Sequence, residues 1–397
     1  MLRGIRSRLR WVKQKSWLRY HSGVRAPRGF YFSTEDWYDA MCKSDSSPTC
    51  ANAQYIYIES APSIHFNLAR MRAEVGNESR KTYDYITPST FAAVIPDGRL
   101  FEYSVITPDN RLLADASRQW GAEPEEAGKH TIFLYQALPS LVAVRGEVVA
   151  LSASHGMSSY YHWLYDVLPR LEILRRRGIK LSEDAQFAVN SKRLAFQQEM
   201  LEILGIERVI ETKPLCHLQA ETLIVPSLPG VTGGIPKWVC DYLRRTFLDR
   251  LGLDSDGVAP EKMIYISRAG AKSRRITNES EVEKLLTGYG FEIFKLEEMS
   301  VAEQVTLFHQ ALIVVAPHGA GLSNLVFCQP GTKVLEMCAP QYVNPCFWTI
   351  SDNVNLDHFY MLGRGERAAE QFVWGGGDAD NEIDLHELDE FFGMLTL

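Results

Sequence analysis

The stretch from residue 160 to residue 170 brings an imidazole and a carboxylate within one helical turn of each other. It reads Tyr-Tyr-His-Trp-Leu-Tyr-Asp-Val-Leu-Pro-Arg, so His162 and Asp166 are four residues apart and Arg170 lies four residues further on. In a helix these three side chains share one face. A carboxylate orients a neighbouring imidazole and stabilises its protonated form, which is the chemistry of a general base. The spacing therefore makes His162 and Asp166 candidate catalytic residues.

Two other interpretations of this stretch stay open. One is a hydrogen-bonded pair without a catalytic role. The other is a metal site, which is disfavoured because one histidine and one aspartate are too few ligands. Four aromatic residues surround the pair, and their flat apolar faces suit the stacking of sugar rings. The aromatic residues favour a catalytic pair that acts on a carbohydrate.

An arginine-rich loop follows a predicted strand in the second half of the chain. Residues 263–267 have the pattern of a strand, and Arg268, Arg274 and Arg275 come before the next predicted helix. In open parallel sheets, ligands bind at the carboxyl ends of the strands. Guanidinium groups match phosphate oxygens in geometry, so the loop predicts a diphosphate site. The alternative is a solvated basic loop.

A glycine turn follows a later buried strand. Residues 317–324 read Pro-His-Gly-Ala-Gly-Leu-Ser-Asn. Glycines between a strand and a helix let the backbone approach a ligand, and the first amides of the helix attract an anion. His318 is a candidate donor to a phosphate or to a departing oxygen. The turn lacks both G-x-G-x-x-G and G-K-[ST], which disfavours a nicotinamide cofactor and a P-loop, and the alternative is an ordinary tight turn.

The elements that must position these groups alternate between strand and helix. In the second half we predict strands over 263–267, 291–296, 312–316 and 333–337, with a helix over 279–286 and another that begins with the capping box Ser300 and Glu303. In the first half we predict short strands from residue 91, a hairpin over 141–152, a helix over 160–177 and a βαβ unit over 186–226. Such alternation indicates parallel sheets.

The length and the charge distribution suggest how the chain is divided. A chain of 397 residues is too long for one ordinary core, so we expect an N-terminal α/β domain over 31–250 and a C-terminal Rossmann-like domain over 255–397. Residues 1–30 form a basic amphipathic segment. Nine of the 42 basic residues lie within residues 1–28, which leaves 33 against 49 acidic residues in the rest, a net charge of −16. An acidic body disfavours nucleic acid as a partner.

The sequence also carries expectations about location. Seven cysteines without C-x-x-C spacing fit a reducing compartment. No apolar run in the sequence has the length of a secretory signal or of a membrane span. We therefore expect a cytoplasmic protein, with peripheral contact to the inner face of the plasma membrane through residues 1–28. The alternative for this segment is a solvated terminus that makes no membrane contact.

Several runs of the sequence together closely resemble glycosyltransferase family 61, whose bacterial members are often labelled capsular polysaccharide biosynthesis proteins. The runs are Ser-Arg at 267–268, Arg-Arg-x-x-Asn-Glu at 274–279, Gly-Phe-Glu at 290–292, Ser-x-x-Glu-Gln at 300–304, Pro-His-Gly-Ala-Gly-Leu-x-Asn at 317–324 and Val-Phe-x-x-Pro-Gly-x-x-Val-Leu-Glu at 326–336. Tyr-His-Trp-x-x-Asp-x-Leu-Pro-Arg at 161–170 is similar to the first block of the family.

The resemblance implies a GT-B architecture, in which two Rossmann-like domains face a central cleft, and inversion at the anomeric carbon by one in-line displacement. It implies that His162 and Asp166 face the acceptor, with either of them as the base. It also implies that no metal or other cofactor is needed, because arginines and helix ends take that role. The implied donor-binding residues are Arg268, Arg274, Arg275, His318, Gly319, Ala320, Gly321 and Asn324.

We therefore predict an inverting hexosyl- or pentosyltransferase. The expected donor is a nucleotide sugar, with uridine diphosphate as its carrier, and the expected acceptor is a glycan or glycolipid in surface or capsular polysaccharide biosynthesis. One alternative is a non-catalytic nucleotide- or sugar-binding subunit of a polysaccharide assembly complex, which would not hydrolyse a donor. The other is an NAD-dependent oxidoreductase, which NAD(H) would stabilise against heat.

Overall fold

The structure, a computed structural model, describes most of the chain. The described residues are 23–41, 52–61, 63–71, 82–119, 124–253, 257, 259–366 and 377–394. Residues 1–22 of the predicted basic segment lie outside them. No helix within the described residues is both long enough and apolar enough to cross a bilayer.

Twenty strands and nine α-helices make up the regular structure of the described residues. The strands are β1 Val24–Arg25, β2 Phe30–Tyr31, β3 Gln54–Glu59, β4 Ser63–Asn67, β5 Arg70–Met71, β6 Thr82–Ile86, β7 Thr90–Pro96, β8 Arg99–Phe101, β9 Ser104–Ile106, β10 Leu112–Leu113, β11 Ala137–Leu138, β12 Val142–Ala150, β13 Gln186–Val189, β14 Val209–Glu211, β15 His217–Pro226, β16 Lys262–Ile266, β17 Glu292–Phe294, β18 Ala311–Pro317, β19 Lys333–Cys338 and β20 Asp357–Leu362.

The helices are α1 Thr34–Met41, α2 Tyr160–His162, α3 Arg170–Arg176, α4 Ala195–Leu204, α5 Lys237–Leu251, α6 Glu279–Gly288, α7 Val301–His309, α8 Trp348–Asn353 and α9 Leu385–Met394. Short 3-10 helices cover Pro124–Lys129, Thr131–Leu134, Leu296–Glu298, Ala320–Phe327 and Pro345–Phe347. The predicted capping box at the start of α7 is confirmed, because the side chains of Ser300 and Glu303 each accept a hydrogen bond from the backbone of the other.

The chain divides into two compact units. Unit one is drawn from residues 1–60 and 89–229, and unit two from residues 61–88 and 230–397. These units differ from the predicted domain bounds of 31–250 and 255–397 in two places. Helix α5 belongs to unit two, where Arg244 donates to the carbonyl of Val326 at 2.7 Å. Strand β5 also belongs there, because it pairs in parallel with β20 and Arg70 binds Asp357 at 2.6 Å.

Unit one contains a ten-stranded mixed sheet. Strands β14, β13, β12 and β15 are parallel neighbours in that order, and β7 and β8 continue from β15 in antiparallel pairing. The prediction of a hairpin over 141–152 is wrong. Both halves of that stretch belong to the single strand β12, which pairs in parallel with β15 and shifts register between Val144 and Glu147. Gly146, with φ +75°, lies at this irregularity, so its turn-like conformation makes a bulge.

Unit two contains a six-stranded parallel sheet in the order β17, β16, β18, β19, β20, β5. Its central strands are apolar on both faces, as the run Ile313 to Ala316 shows, because helices cover both sides of a parallel sheet. The chain runs from β16 outward to β17 and then returns to β18 on the other side of β16. The gap between β16 and β18 is therefore the topological switch point, where open α/β sheets bind ligands. The predicted mixed α/β class is confirmed.

Candidate functional site

The predicted pair in unit one is in direct contact. Ser159 caps α2 by accepting a hydrogen bond from the backbone nitrogen of His162 at 3.3 Å. The Nδ1 atom of His162 lies 2.6 Å from Oδ2 of Asp166. The two side chains are 13% and 18% exposed, so the couple is largely shielded but still reached by solvent. This geometry leaves Nε2 of His162 as the ring atom for proton exchange with a ligand.

The helix that carries the pair is interrupted. Residues Trp163–Val167 form a π-helical turn, and the backbone nitrogen of Leu168 donates to the carbonyl of Trp163 at 3.1 Å. The next residue is Pro169, which has no backbone N–H and whose ring would collide with a carbonyl one turn earlier in a regular helix. Single π-turns of this kind are frequent at functional sites.

Arg170, four residues after Asp166, donates its hydrogen bonds to backbone carbonyls. It is 1% exposed, its Nη1 atom donates to the carbonyl of Ser152 at 2.8 Å, and its Nε atom donates to the carbonyl of Pro226 at 3.0 Å. These carbonyls lie at or just beyond the carboxyl ends of β12 and β15. Burial lowers the pKa of Arg170 to about 9, and the carboxylate of Asp166 opposes that shift. Arg170 is therefore a structural cation whose charge reaches the candidate site.

The aromatic residues around the pair belong to the core. Tyr161 is 5% exposed, and Trp163 and Tyr165 are fully buried. The interpretation of these three rings as a stacking surface for sugars is therefore wrong. Tyr160 is partly buried and packs against Phe196, with the ring centroids 5.2 Å apart. The rings fix the helix that presents His162.

A second imidazole, which the sequence analysis did not single out, lies beside the pair. The ring centroids of His155 and His162 are 5.2 Å apart, and His155 is exposed to solvent. Partial desolvation and the neighbouring His162 lower the pKa of His155. The sequence signal for His155 was its place in the loop that follows β12, because the carboxyl ends of parallel strands are where ligands bind.

Two buried amides hold the loop that carries His155. Asn190 accepts from the backbone nitrogen of Ala153 at 2.9 Å and donates to its carbonyl at 2.8 Å. Gln197 donates to the carbonyl of Met157 at 3.1 Å. A Cβ atom at Gly156 would stand 2.3 Å from Oδ1 of Asn190, so a glycine is needed at this contact. The loop is thus fixed by one side chain just beyond β13 and by another from α4.

In unit two, Arg268 follows β16 and packs against the glycine turn. Its Nη2 atom donates to the carbonyl of Ser273 at 3.1 Å, and its Nε atom donates to the carbonyl of Arg274 at 3.3 Å. A Cβ atom at Gly319 would stand 2.0 Å from Nη1 of Arg268. The missing side chain of Gly319 therefore makes room for the guanidinium. Burial and the neighbouring Arg274 lower the pKa of Arg268, while Glu297 and Glu279 raise it.

The two following arginines differ in what they contact. Arg274 has a left-handed backbone, with φ 57°, and its guanidinium lies 5.6 Å from the centre of the Tyr342 ring. Its Nε atom is buried and has no hydrogen-bond partner among the described residues. Arg275 binds Asp380 through Nη2 at 2.7 Å and Nε at 3.2 Å. Arg274 thus keeps an unmet donor, while the guanidinium of Arg275 is engaged by a carboxylate.

His318 belongs to a buried hydrogen-bonded cluster. Its Nδ1 atom lies 2.5 Å from Oε1 of Glu336, and the other oxygen of that carboxylate accepts from the indole of Trp348 at 2.8 Å and lies 3.3 Å from Nε2 of His358. Burial raises the pKa of Glu336, but the charge and hydrogen bonds of His318, with those of His358, lower it to about 2. The sequence signal for Glu336 is a carboxylate inside the apolar run of β19. The ionised Glu336 fixes the ring orientation of His318.

His318, Glu336 and Cys338 lie close enough together to raise the question of a metal. Their potential ligand atoms are within 4.8 Å of one another, and all three residues are buried. Two ligands of one tetrahedral zinc ion, each bonded at about 2.0 Å, stand about 3.3 Å apart. The 2.5 Å contact between His318 and Glu336 is instead the length of a strong hydrogen bond. Burial and the charge of Glu336 also raise the pKa of the Cys338 thiol, which keeps it protonated.

Asn324 ties the glycine turn to the rest of unit two. Its side chain is fully buried, and its Nδ2 atom donates to Oε1 of Gln304 at 3.0 Å and to the carbonyl of Gly321 at 3.2 Å. Gln304 in turn donates to the carbonyl of Leu296 at 2.9 Å. The described contacts of Asn324 are those of a residue that positions the turn.

A pocket of about 300 Å³ opens at the switch point between β16 and β18. It brings together three residues that the sequence predicted for one site, Arg268, Gly319 and Gly321, with the basic loop on one side and the glycine turn on the other. The lining residues are Ile266, Ser267, Arg268, Gly270, Ala271, Leu296, Glu297, Ala316, Pro317, Gly319, Gly321 and Leu322.

Comparison with known proteins agrees with the resemblance. A family model described as Glycosyltransferase 61 matches residues 160–335, which contain both the His162–Asp166 pair and the pocket. A beta-1,2-xylosyltransferase of Oryza sativa subsp. japonica is 32% identical over 98 residues, and one of Arabidopsis thaliana is 30% identical over 73 residues. An EGF domain-specific O-linked N-acetylglucosamine transferase of Rattus norvegicus is 24% identical over 144 residues.

These similarities cover parts of the proteins. They span 23%, 18% and 33% of this chain, and 18%, 14% and 27% of the rice, Arabidopsis and rat proteins. The shared part is therefore a segment of each relative.

Proposed function

We propose, from the match of residues 160–335 to glycosyltransferase family 61, that the chain transfers a sugar from a nucleotide-sugar donor to a glycan or glycolipid acceptor. The observation that carries the proposal is the pocket at the switch point of unit two, where Arg268 and the glycine turn meet. The GT-B architecture and inversion at the anomeric carbon belong to the same proposal.

The pocket of unit two is suited to the diphosphate side of a donor. It lies at the carboxyl ends of two adjacent parallel strands, where helix N-termini and backbone amides favour anions. Arg268 lines it and donates to the carbonyl of Arg274, which belongs to the same loop and has an unmet donor. A volume of about 300 Å³ is at the lower end of the range for ligand sites, so the pocket holds part of a nucleotide sugar.

The His162–Asp166 couple of unit one is suited to activating the acceptor. In the proposed step the acceptor hydroxyl attacks the anomeric carbon, its proton passes to Nε2 of His162, and the bond from the anomeric carbon to the diphosphate oxygen breaks. Asp166, on Nδ1, stabilises the imidazolium that forms. The arginines of unit two stabilise the charge of the leaving diphosphate.

The finer parts of the proposal concern substrate and location. We expect a uridine diphosphate sugar as the donor and a surface polysaccharide as the acceptor. The relatives are named for xylose and for N-acetylglucosamine, so these two sugars come first in a donor panel. A cytoplasmic location, with membrane contact through residues 1–28, is proposed from the sequence.

Donor binding tests the proposal through the contact between Arg268 and Gly319. Gly319→Ala introduces a methyl group that the guanidinium must avoid, so it should weaken the binding of a uridine diphosphate sugar about as much as Arg268→Ala, by about 10-fold or more. The double variant should be no weaker than Arg268→Ala alone, because both changes remove one interaction. Gly288→Ala, where a Cβ atom meets nothing within 4 Å, is the control.

The measurement is titration calorimetry with a panel of nucleotide sugars, followed by a donor-hydrolysis and transfer assay. A wild-type protein that binds no nucleotide sugar would overturn the proposal. Binding without any hydrolysis or transfer would favour the non-catalytic subunit, and thermal stabilisation by NAD(H) alone would favour the oxidoreductase.

A further inference from the structure

One carboxylate in the pocket of unit two has no part in holding a diphosphate. Glu297 lies in the 3-10 turn Leu296–Glu298, immediately beyond β17, and lines the same pocket as Arg268. Strand β17 is the neighbour of β16 in the sheet. A Cβ atom at Gly270 would stand 2.6 Å from Oε1 of Glu297, so the carboxylate lies directly against the backbone of the basic loop.

The Glu297 carboxylate does not serve the fold through a hydrogen bond. Among the described residues its oxygens have neither a hydrogen-bond partner nor an ion-pair partner within 4 Å, whereas the adjacent Glu298 lies 3.9 Å from Lys295. Glu297 is also exposed to solvent. An ionised carboxylate accepts hydrogen bonds and cannot donate them, so its oxygens are open to a ligand that carries donors.

The lining of the pocket therefore combines a cation with a carboxylate. Arg268 in the lining attracts phosphate, while Glu297 in the same lining repels it and attracts hydroxyl groups. In a nucleoside diphosphate the ribose is bonded directly to the phosphate chain, and its 2′- and 3′-hydroxyls are adjacent donors that match the two oxygens of one carboxylate. The side chains of Ile266, Leu296 and Leu322 supply apolar lining for the carbon face of the ring.

We propose that Glu297 binds the ribose hydroxyls of the donor and so selects ribonucleotides over 2′-deoxyribonucleotides. The position agrees with the general geometry of nucleotide-binding βαβ units, in which an acidic residue after the second strand binds the ribose. Here β16 is the first strand of the unit, β17 is the second, and Glu297 follows it. The inference rests on the proposed function, because it assumes that the pocket holds a nucleotide donor.

Calorimetry with matched ribo- and deoxyribonucleotides tests the inference. The probes are UDP, ADP and GDP with their 2′-deoxy forms, so the result does not depend on the base. The wild-type protein should bind the ribo form about 10- to 100-fold more tightly, since a hydrogen bond to a charged group is among the stronger ones. Glu297→Ala should weaken the ribo form and reduce the ratio to about 2-fold or less.

Two further variants make the result interpretable. Glu297→Gln keeps the shape and one acceptor, so its ratio should fall between those of the wild type and Glu297→Ala. Glu298→Gln removes the neighbouring carboxylate, which is 71% exposed, and should leave the ratio unchanged. Equal thermal unfolding midpoints among the three variants show that each is folded.

The possible outcomes separate this inference from the proposed function. If the wild type prefers the ribo form and Glu297→Ala keeps that preference, the role of Glu297 is overturned while the donor pocket stands. The same holds if the wild type binds both forms equally. If the wild type binds no nucleoside diphosphate, both proposals fail. A ratio that collapses in Glu297→Ala and persists in Glu298→Gln supports the inference.

Discussion

The couple of His162 and Asp166 allows turnover to be separated from donor binding. Both side chains are in unit one, while the proposed donor pocket lies wholly within unit two. His162→Ala removes the proposed base and should lower kcat by about 100- to 10,000-fold. Asp166→Asn leaves the ring but weakens its orientation, so the loss should be smaller. Donor Kd from calorimetry should change less than 3-fold in both variants, because an interaction made only in the transition state affects kcat and leaves donor binding unchanged.

A matched control and a contrary outcome complete this test. His386→Ala removes an exposed imidazole that also pairs with a carboxylate four residues away, and it should leave kcat unchanged. Wild-type kcat in the His162→Ala variant would remove the couple from the mechanism. A loss confined to donor Kd would place it on the donor side.

The buried Glu336 should make the free energy of unfolding fall as the pH is lowered into the acid range. Its folded-state pKa of about 2 is below its ordinary value of 4.5, so its contribution is fully present above pH 4.5 and is lost as the pH falls from there towards 2. The loss corresponds to about 3 kcal/mol of unfolding free energy, at about 1.4 kcal/mol for each pKa unit. The groups that face this carboxylate are the imidazoles of His318 and His358, the indole of Trp348 and the thiol of Cys338.

Glu336→Gln should reduce the loss of unfolding free energy between pH 7 and pH 3. Urea unfolding at pH 7 and pH 3 should show a smaller difference in free energy for this variant than for the wild type, although the variant is less stable at pH 7 because an amide cannot meet the same hydrogen bonds. Glu298→Gln, which removes an exposed carboxylate, is the control. An unchanged pH slope in Glu336→Gln would show that another carboxylate dominates.

Local spacing predicted some site contacts, and distant pairing determined the rest. The contact between His162 and Asp166 follows from one helical turn, and the sequence already indicated it. The partner of Arg275 is Asp380, 105 residues away, and the partner of His318 is Glu336 on a neighbouring strand. No periodicity records such partners, because they meet only when the strands have been ordered in the sheet.

At the scale of elements, Arg170 joins the carboxyl ends of the parallel strands β12 and β15 through hydrogen bonds. Arg170→Met keeps much of the apolar stem but leaves the carbonyls of Ser152 and Pro226 without their buried donor. We expect a loss of about 3 kcal/mol in unfolding free energy, because unsatisfied buried polar groups cost about 1–3 kcal/mol each. Arg208→Met, at an exposed position just before β14, should cost less than about 0.5 kcal/mol and is the control.

The measurement is urea unfolding with the midpoint and slope compared across the three proteins. A second consequence concerns the site, since Ser152 precedes the loop of His155. The Arg170→Met variant should therefore also lose activity under conditions where it is folded. Stability equal to that of the wild type would mean that solvent or neighbouring groups replace the arginine.

The same scale shows why some elements could be predicted and others could not. Alternating strands and helices identified β16 to β19 within a few residues, because each is an apolar run bounded by loops. The stretch 141–152 was misread as a hairpin, because a glycine between two apolar runs is the usual sign of a turn. Its pairing with β15, more than 70 residues later in the chain, overrides that local signal and makes one strand with a bulge at Gly146.

At the scale of the whole molecule, the sequence predicted the division into two units only in part. Length indicated two domains, and the polar stretch 251–260 marked a boundary, yet the contact units change over between Pro229 and Gly230. Residues 61–88 also leave unit one for unit two. Such an excursion depends on which sheet edge a strand joins, as β5 joins β20, and two-residue strands carry no sequence pattern that would reveal it.

The charge asymmetry of the chain leads to a prediction about surfaces. Residues 1–28 carry nine basic groups and no acid, while the remainder has a net charge of −16. Each Lys or Arg near an anionic leaflet contributes about 1 kcal/mol, so the full chain should bind vesicles that contain phosphatidylglycerol. A chain without residues 1–22, which hold seven of the nine basic groups, should bind at least about 100-fold more weakly. Vesicles of phosphatidylcholine alone should bind neither form strongly.

The salt dependence of vesicle binding and the transfer activity separate the role of the basic N-terminal segment from that of the rest of the chain. Vesicle binding by the full chain should weaken between 50 mM and 500 mM salt, because a Debye length of about 10 Å at 0.1 M shortens as salt is added. Transfer to a soluble acceptor should be the same with and without residues 1–22, since this deletion stops before β1 and the family segment begins at residue 160. Vesicle sedimentation that is unaffected by the deletion would show that membrane contact, if the protein makes any, comes from another surface. The acidic remainder would then have to approach an anionic leaflet against its own charge, which electrostatics disfavours.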